Sequence, residues 1–574
     1  MFKKSPKNCF KPVLPSAGGG ASSSLAGTSE HETTELHKSN NGPILSYFNY
    51  FLLPQIDLLS NSNGEDYIPL ELRVACHENN HVYVSSSIYA HLCDIKQQIE
   101  KYQDTWDNIK KFTNPYEYIH SNINGNKTNI SKLRPLSRSF YKMIEIIKNN
   151  NILSQYQNTV VQQPDFKMGI KTFHLAEGPG GFIEAIAYLR SLEYQRQIRG
   201  DTKLTARTAN ETDDGNTSIP AAAAIQILKR NTDFHDEYMK EQEYLKLSRR
   251  IFDNQKESMS TTATTAAVYG NDRHYGMTLV NDDPICPGWT KTRTFLECHP
   301  NVIIENGADK TGNLISLENF LYCADKYKNK MDIVTADGGF DFSVDFNRQE
   351  SMATQLVLCE VFYALAIQKP GGTFILKIFD VFHKATVDIL YILSYYYNNV
   401  SIMKPYTSRI ANSEKYVICQ GFKIANSTQI IQQFASIFHF IQSATTDIGS
   451  GGSVLASLLP FDHDLYFLNR IEEMNAMVSF QQIENITSTL SIITNHRNAE
   501  KLEQYKRANV NKCIAWCEKY DIPHNINHAC FQSTNIFLHK SIPASSASVS
   551  SASSASASAS ASVSTGASTG NFAI

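Results

Sequence analysis

No run of about 18 apolar residues occurs in the sequence, the length a helix needs to cross a bilayer, so no membrane span is expected. The opening MFKKSPKNCFKPVLPSAGGG carries lysines but no apolar core behind them, which excludes a secretory leader. Excess positive charge is lacking too. The formal net charge is -3, so the chain as a whole is no general polyanion binder, although a local basic patch beside a cleft remains compatible with it. The 11 cysteines follow no regular spacing, and a chain of 574 residues has no need of staples. They are expected as reduced thiols inside the cell, in nucleus or cytoplasm, or in a viral factory or virion if the source is viral. Also absent are the GxGxxG fingerprint of dinucleotide sites and the Lys-Ser/Thr that completes a phosphate loop.

What is present divides the chain into zones. Residues 1–42, rich in Ser, Gly, Thr, Lys and Asn, and the Ser/Ala tail 541–574 are expected to be disordered, because neither holds enough apolar surface to offset ordering. Residues 43–135 read as mainly helical, with apolar positions at helical spacing between Ile88 and Phe112 and a break at Asn114-Pro115. RSFYKMIEIIK (138–148) is a second amphipathic helix. From residue 172 the pattern changes. Short apolar, β-branched runs at 172–177, 275–280, 301–306, 331–337, 371–380, 400–405 and 415–422 alternate with helical segments at 181–192 and 349–368. Such alternation implies an α/β domain over 136–424: a mostly parallel, seven-stranded sheet with helices on both faces. Residues 195–270 exceed what a strand-to-helix unit needs and are expected to loop out as a low-complexity insertion. Residues 425–540 read as a helical C-terminal region.

The chemistry-bearing residues fall at strand ends, where ligands bind in open α/β sheets. The first strand runs into Glu177-Gly178-Pro179-Gly180-Gly181-Phe182, and glycines there let the backbone approach a ligand closely. Alone, that turn could equally be a tight strand-to-helix connection. A later strand ends at Asp337, followed by Gly338-Gly339-Phe340. Lys377 stands inside the apolar strand GTFILKIFD, where an ammonium is costly unless it has a partner or a task. Glu414 directly precedes the strand KYVICQGF, and Lys142 lies on the helix ahead of the first strand.

These segments, in this order, resemble the FtsJ (RrmJ-type) 2′-O-methyltransferases, and within them the cap-specific mRNA (nucleoside-2′-O-)-methyltransferases of eukaryotes and large DNA viruses. The likeness rests on Arg138-Ser139-Phe140-Tyr141-Lys142, on Glu177–Phe182, on Ala336–Phe340, on Lys377–Asp380 and on Ser408–Tyr416 followed by Cys419–Phe422. YGMTL (275–279), GADKTGNLISLEN (307–319) and TNPYE (113–117) add to it, so that it spans roughly 105–424 less the insertion. The resemblance implies a Rossmann-like fold and S-adenosyl-L-methionine as cofactor. It implies RNA as substrate, most specifically the capped 5′ end of mRNA, and a catalytic set of Lys142, Asp337, Lys377 and Glu414. It places the cofactor on Glu177 to Phe182 and Asp337, with Asp309 as the candidate for the adenosine ribose. Two departures stand out: Glu177 replaces a small residue, and Asn313 replaces a second acidic one. Protein partners are not specified by these motifs. Two other readings remain alongside: a ribosomal or transfer RNA 2′-O-methyltransferase, and an inactive RNA-binding scaffold of the same fold.

A ribose hydroxyl becomes a nucleophile only when a base takes its proton, and that base must be neutral. Lysine ordinarily titrates near ~10.4, so Lys377 as base is expected to be shifted downward by burial and by the charge of Lys142. Asp337 and Glu414 would orient the two lysines, and no metal is required. Lys132, Arg134 and Arg138 are candidate phosphate contacts, or simply a solvated loop. Tyr395-Tyr396-Tyr397 could stack on a base but more often such a run is packing. Cys513, Cys517, His524, His528 and Cys530 are ligand-type residues whose spacing fits no standard zinc signature.

Overall fold

The apolar runs between residues 171 and 422 assemble side by side into one sheet. The computed structural model describes residues 50–57, 68–76, 80–123, 128–156, 169–193, 271–280, 288–339, 346–448, 453–495 and 499–525. The stretches 1–42, 195–270 and 541–574, expected to be disordered or inserted, lie outside them. In chain order the elements are β1 (Tyr50–Leu52), β2 (Arg73–Cys76), α1 (Ser86–Glu100), α2 (Gln103–Thr113), α3 (Ser139–Asn149), β3 (Lys171–Leu175) and α4 (181–193). There follow β4 (Arg273–Met277), α5 (Arg293–Cys298), β5 (Val302–Ile304), α6 (Leu317–Tyr327), β6 (Met331–Ala336), α7 (Gln349–Ile367) and β7 (Gln368–Ile378). The chain continues through α8 (Lys384–Tyr396), β8 (Tyr397–Met403), β9 (Lys415–Phe422), α9 (Thr428–Ile448), β10 (Ser453–Ser457), α10 (Leu465–Thr494) and α11 (Ala499–Lys519).

The sheet order is β5-β4-β3-β6-β7-β9-β8-β1. The five strands from β5 to β7 are parallel, whereas β9 lies antiparallel between β7 and β8. This is the Rossmann-like α/β arrangement the sequence implies, with one strand more than expected. The eighth is β1, which pairs antiparallel with β8 at the edge. From β3 the chain moves outward to β4 and β5, then returns to place β6 on the other side of β3. The crevice for ligands therefore opens beyond the carboxyl ends of β3 and β6. Because β9 runs the opposite way, its amino end, where Glu414 sits, lies at that same edge: Ile378 pairs with Lys415 and Lys377 with Tyr416.

Side chains alternate across each strand, so the two faces have separate cores. One face buries Ile333, Ile375, Met403 and Ile418 under α3, α4 and α11. The other buries Val334, Phe374 and Val417 under α6, α7, α8 and α9. Helix α7 is apolar on all sides. By length and composition it could cross a membrane, but here it is buried against the sheet and α9, where Phe362 stacks on Phe434 at 3.7 Å between ring centres.

Several local expectations are corrected. The region 43–135 contributes strands as well as helices. In the C-terminal helical region, β10 pairs antiparallel with β2. Strand β7 begins at Gln368 rather than after a Gly-Gly turn; a register irregularity opposite Met331–Ile333 absorbs Gly371, whose φ of 77° a side chain would disfavour. Tyr395, Tyr396 and Tyr397, by contrast, serve packing, the commoner use of such a run. All three are buried, and the Tyr397 hydroxyl donates to Gln368.

Candidate active site

The loop after β3 is shaped by how little room surrounds it. A Cβ on Gly178 would lie 2.7 Å from the carbonyl oxygen of Gly288, and one on Gly181 would lie 2.2 Å from Ser139 Oγ. Gly180 takes a φ of 102° beneath the indole of Trp289. These residues must be small for the turn to close over α3. Glu177, expected at the cofactor, turns its carboxylate inward. Its Oε1 accepts from the backbone N–H groups of Phe182 and Ile183 at the start of α4, and its Oε2 lies 3.2 Å from His174 Nδ1. Burial pushes this carboxyl well above the usual range. What Glu177 offers a ligand is therefore its backbone. Phe182 is likewise buried, against Tyr416.

One residue beyond the strand ends, ionised groups gather. The Asp337 N–H donates to the carbonyl of Leu175, which fixes it beside the glycine loop. Lys377 points to the α3 face, as Ile375 does, and its Nζ donates to the Asp337 carbonyl at 2.6 Å and lies 3.2 Å from Asp337 Oδ1. The Tyr416 hydroxyl donates to the same Oδ1 at 3.0 Å. From the opposite side Lys142, on α3, pairs with Glu414 Oε1 at 2.5 Å, and its Nζ stands 5.9 Å from the centre of the Tyr416 ring. Ser408 Oγ donates to Glu414 Oε1 at 3.1 Å. All four residues expected at the centre thus meet at one sheet edge, as two ion pairs, Lys142–Glu414 and Lys377–Asp337, with Tyr416 between them.

The electrostatics differ from the expectation in one respect. Burial does push Lys377 down, but the carboxylates of Asp337 and Glu414 outweigh it and hold the ammonium above its ordinary value. It is Lys142 whose burial wins, leaving it below its ordinary value despite Glu414. Glu414 is held well below the carboxylate range: burial opposes this, but Lys142 and Lys377 prevail. In this arrangement Lys377 therefore carries its proton.

Further buried charges support the set. Glu360, a lone acid in the apolar run of α7, accepts from Gly338 N at 3.1 Å, and burial raises its carboxyl to about 8. The buried Lys404 donates to the carbonyls of Asn412 and Glu414, fixing the loop that presents Glu414. Arg409, in that same loop, makes a two-pronged pair with the fully buried Glu117. Glu360 and Lys404 showed in the sequence only as single charges among apolar residues, whereas Arg409 and Glu117 lie within the segments that carry the family likeness. Asp309 stands apart from the four, on the loop after β5, where its Oδ1 accepts from Thr311 N and Oγ1 at 2.8 and 2.7 Å. Arg134 is exposed, and Arg138 is close enough to Lys142 and Glu414 to act on both electrostatically. Among the described residues no group of three His, Cys, Asp or Glu is placed to hold a metal ion. Cys513 and Cys517 are buried in the core beneath α3; His528 and Cys530 lie outside the described residues.

The model of the FtsJ-like methyltransferases matches residues 135–422, and the chain belongs to that family. Among curated relatives, the cap-specific mRNA (nucleoside-2′-O-)-methyltransferase 1 of Trypanosoma brucei brucei is 32% identical over 223 residues, covering 38% of this chain and 56% of that protein. The proteins of the same name from Dictyostelium discoideum and Homo sapiens are each 32% identical over 32% of this chain, covering 24% and 22% of their own lengths. The matched segment thus spans about a quarter to just over half of these relatives.

The Glu117–Arg409 pair makes a signed prediction. Burial opposes ionisation of Glu117, but Arg409 brings its carboxyl down to about 2. The ordinary glutamate value is about 4.3. Its contribution to stability is therefore complete above about pH 4.3 and is lost as pH falls toward 2. Glu117→Gln should lower stability by roughly 2–3 kcal/mol at pH 7, a figure reduced because Arg409 is a quarter exposed. Denaturant melts at pH 7 and pH 3 should show a smaller difference in the variant than in the unaltered protein; an equal difference would remove Glu117 from the account.

Proposed function

We propose that this protein transfers a methyl group from S-adenosylmethionine to a ribose 2′-hydroxyl of RNA, at the first transcribed nucleotide of capped mRNA. The observation that carries this reading is the meeting of Lys142–Glu414 and Lys377–Asp337 beside the glycine loop at the switch point of the sheet. The cap-specific names of the relatives support the choice of substrate.

The residues present fit the cofactor chemically. Bare glycine backbone on one side, and the carboxylate of Asp337 on the other, suit a ligand with a cationic centre; Asp309 offers an acceptor for ribose hydroxyls. When bound, S-adenosylmethionine supplies an electrophilic methyl group on a positively charged sulfonium. Lys377 must first release its ammonium proton to solvent, against the pull of the Asp337 and Glu414 carboxylates. Lys377, once neutral, takes the proton of the ribose hydroxyl. Lys142, held by Glu414, stands across from it to orient the hydroxyl and stabilise its developing charge. Asp337 holds the Lys377 amine through both its backbone carbonyl and its carboxylate. Much of the rate gain comes from alignment, worth up to ~7–11 kcal/mol in well-oriented systems. Lys132, Arg134 and Arg138 would supply phosphate contacts to the RNA strand. Cysteines among the described residues are free thiols, in keeping with an intracellular protein.

Labelled methyl transfer should go to capped transcripts and fail on the same transcripts without a cap. Transfer to uncapped structured RNA alone would overturn the cap assignment and favour ribosomal or transfer RNA as substrate. A second prediction concerns pH. Glu414 raises Lys377, so Glu414→Gln should lower the Lys377 pKa and move the acid limb of the pH–rate profile to lower pH, even as loss of the Lys142 anchor reduces the maximal rate. An unmoved limb would separate Lys377 from the titration.

A further inference from the structure

Helix α11 lies far along the chain from the matched family segment, yet it reaches the catalytic helix. Trp516 is buried, and its Nε1 donates to Glu145 Oε2 at 3.2 Å. Its ring also packs edge-on against Tyr141, the neighbour of Lys142. Glu145 is fully buried and stands one helical turn after Lys142 on α3. Its Oε1 accepts from Tyr406 N at 2.6 Å, and its Oε2 accepts from Thr407 N and Thr407 Oγ1 at 3.3 Å each. Thr407 adjoins Ser408, whose hydroxyl holds Glu414, and Glu414 holds Lys142. The contacts therefore close a ring: Lys142 to Glu414, to Ser408 and Thr407, to Glu145, and back along one turn of α3 to Lys142.

We infer that Trp516 and Glu145 are positioning residues of the reaction proposed above, by which the C-terminal helix α11 sets the alignment of Lys142 with Glu414. Neither touches the reacting atoms. Glu145 faces hydrogen-bond donors on both oxygens, with its own helix, the 405–407 turn and α11 each meeting it. Both oxygens are needed as acceptors. An amide in its place would turn N–H toward a donor. The indole N–H is the only donor α11 gives this carboxylate among the described residues. The helix and the turn after it are also tied to the chain before α3: Asn509 Nδ2, on α11, donates to the carbonyls of Phe112 and Asn114 at the end of α2, and Lys132 N donates to that of Pro523, just past α11. The clamp is thus fixed at both ends rather than merely lying on the surface.

The inference rests on methyl transfer at Lys142 and Lys377, so its test needs one readout that depends on activity and one that does not. In the full-length protein, Trp516→Phe keeps the ring and removes the donor. It should lower kcat about tenfold with KM for RNA and cofactor within twofold, and Glu145→Gln should lower kcat about 100-fold, in line with the cost of small misalignments. Cys517→Ala trims the same buried helix face without touching Glu145; it should lower the melting temperature and leave kcat unchanged. Hydrogen exchange of the 404–416 segment should quicken in Trp516→Phe while strands β6 and β7 keep their protection. If Trp516→Phe matches Cys517→Ala in kcat, or leaves exchange of 404–416 unaltered, the clamp is refuted. If the unaltered protein methylates no RNA, the functional reading fails, and the exchange measurement still decides whether α11 holds the loop.

Discussion

Two ammonium groups and two carboxylates, buried together at one edge of a sheet, can be kept there only as pairs. An ion withdrawn from water costs several kcal/mol unless a partner and hydrogen bonds replace the solvent. Lys142 is balanced by Glu414, and Lys377 by Asp337. Much around them is arranged to supply the remaining hydrogen bonds. Tyr416 and Ser408 donate to the carboxylates, Lys404 draws in the loop carbonyls, and Glu145 ties that loop to α3. Removing one member leaves its partner buried and uncompensated, so position and charge at this edge are coupled.

The sheet topology makes the pairing possible. Asp337 and the glycine loop come together because β3 and β6 are neighbours at the switch point. Glu414 joins them because β9 runs against its neighbours and brings its amino end to their carboxyl edge. Lys142 arrives from the helix covering that face. The same chemistry explains why the resting charge state differs from simple expectation. Burial alone would push Lys377 down, but the carboxylates that hold it in place keep it above its ordinary value.

Much of this was legible in the sequence, for identifiable reasons. The strands of the central sheet are largely buried and so read as apolar runs, and Asp337, Lys377 and Glu414 stood out as charges interrupting or flanking such runs, whereas Lys142, on α3, was marked only by its motif. The Tyr395–Tyr397 run carried no such contrast; aromatic residues read alike whether packed or stacking. Strands β1 and β10 escaped because each gains its structure from a distant partner, Met403 to Ser401 for one and Cys76 to Arg73 for the other, rather than from local periodicity. Glu177 was placed at the cofactor by its position in the motif, yet its side chain serves the start of α4. The roles of Glu145 and Trp516 had no sequence signal at all, since their meeting joins segments separated by 371 positions.

The proposed methyl transfer depends on Lys377 accepting the ribose proton. The most direct test is the single-turnover rate of methyl transfer to a capped transcript by Lys377→Ala, with RNA binding measured on the same preparation. The rate should fall about 10²–10⁴-fold, the usual contribution of a positioned base, with binding changed less than about twofold. Transfer at the unaltered rate would contradict it.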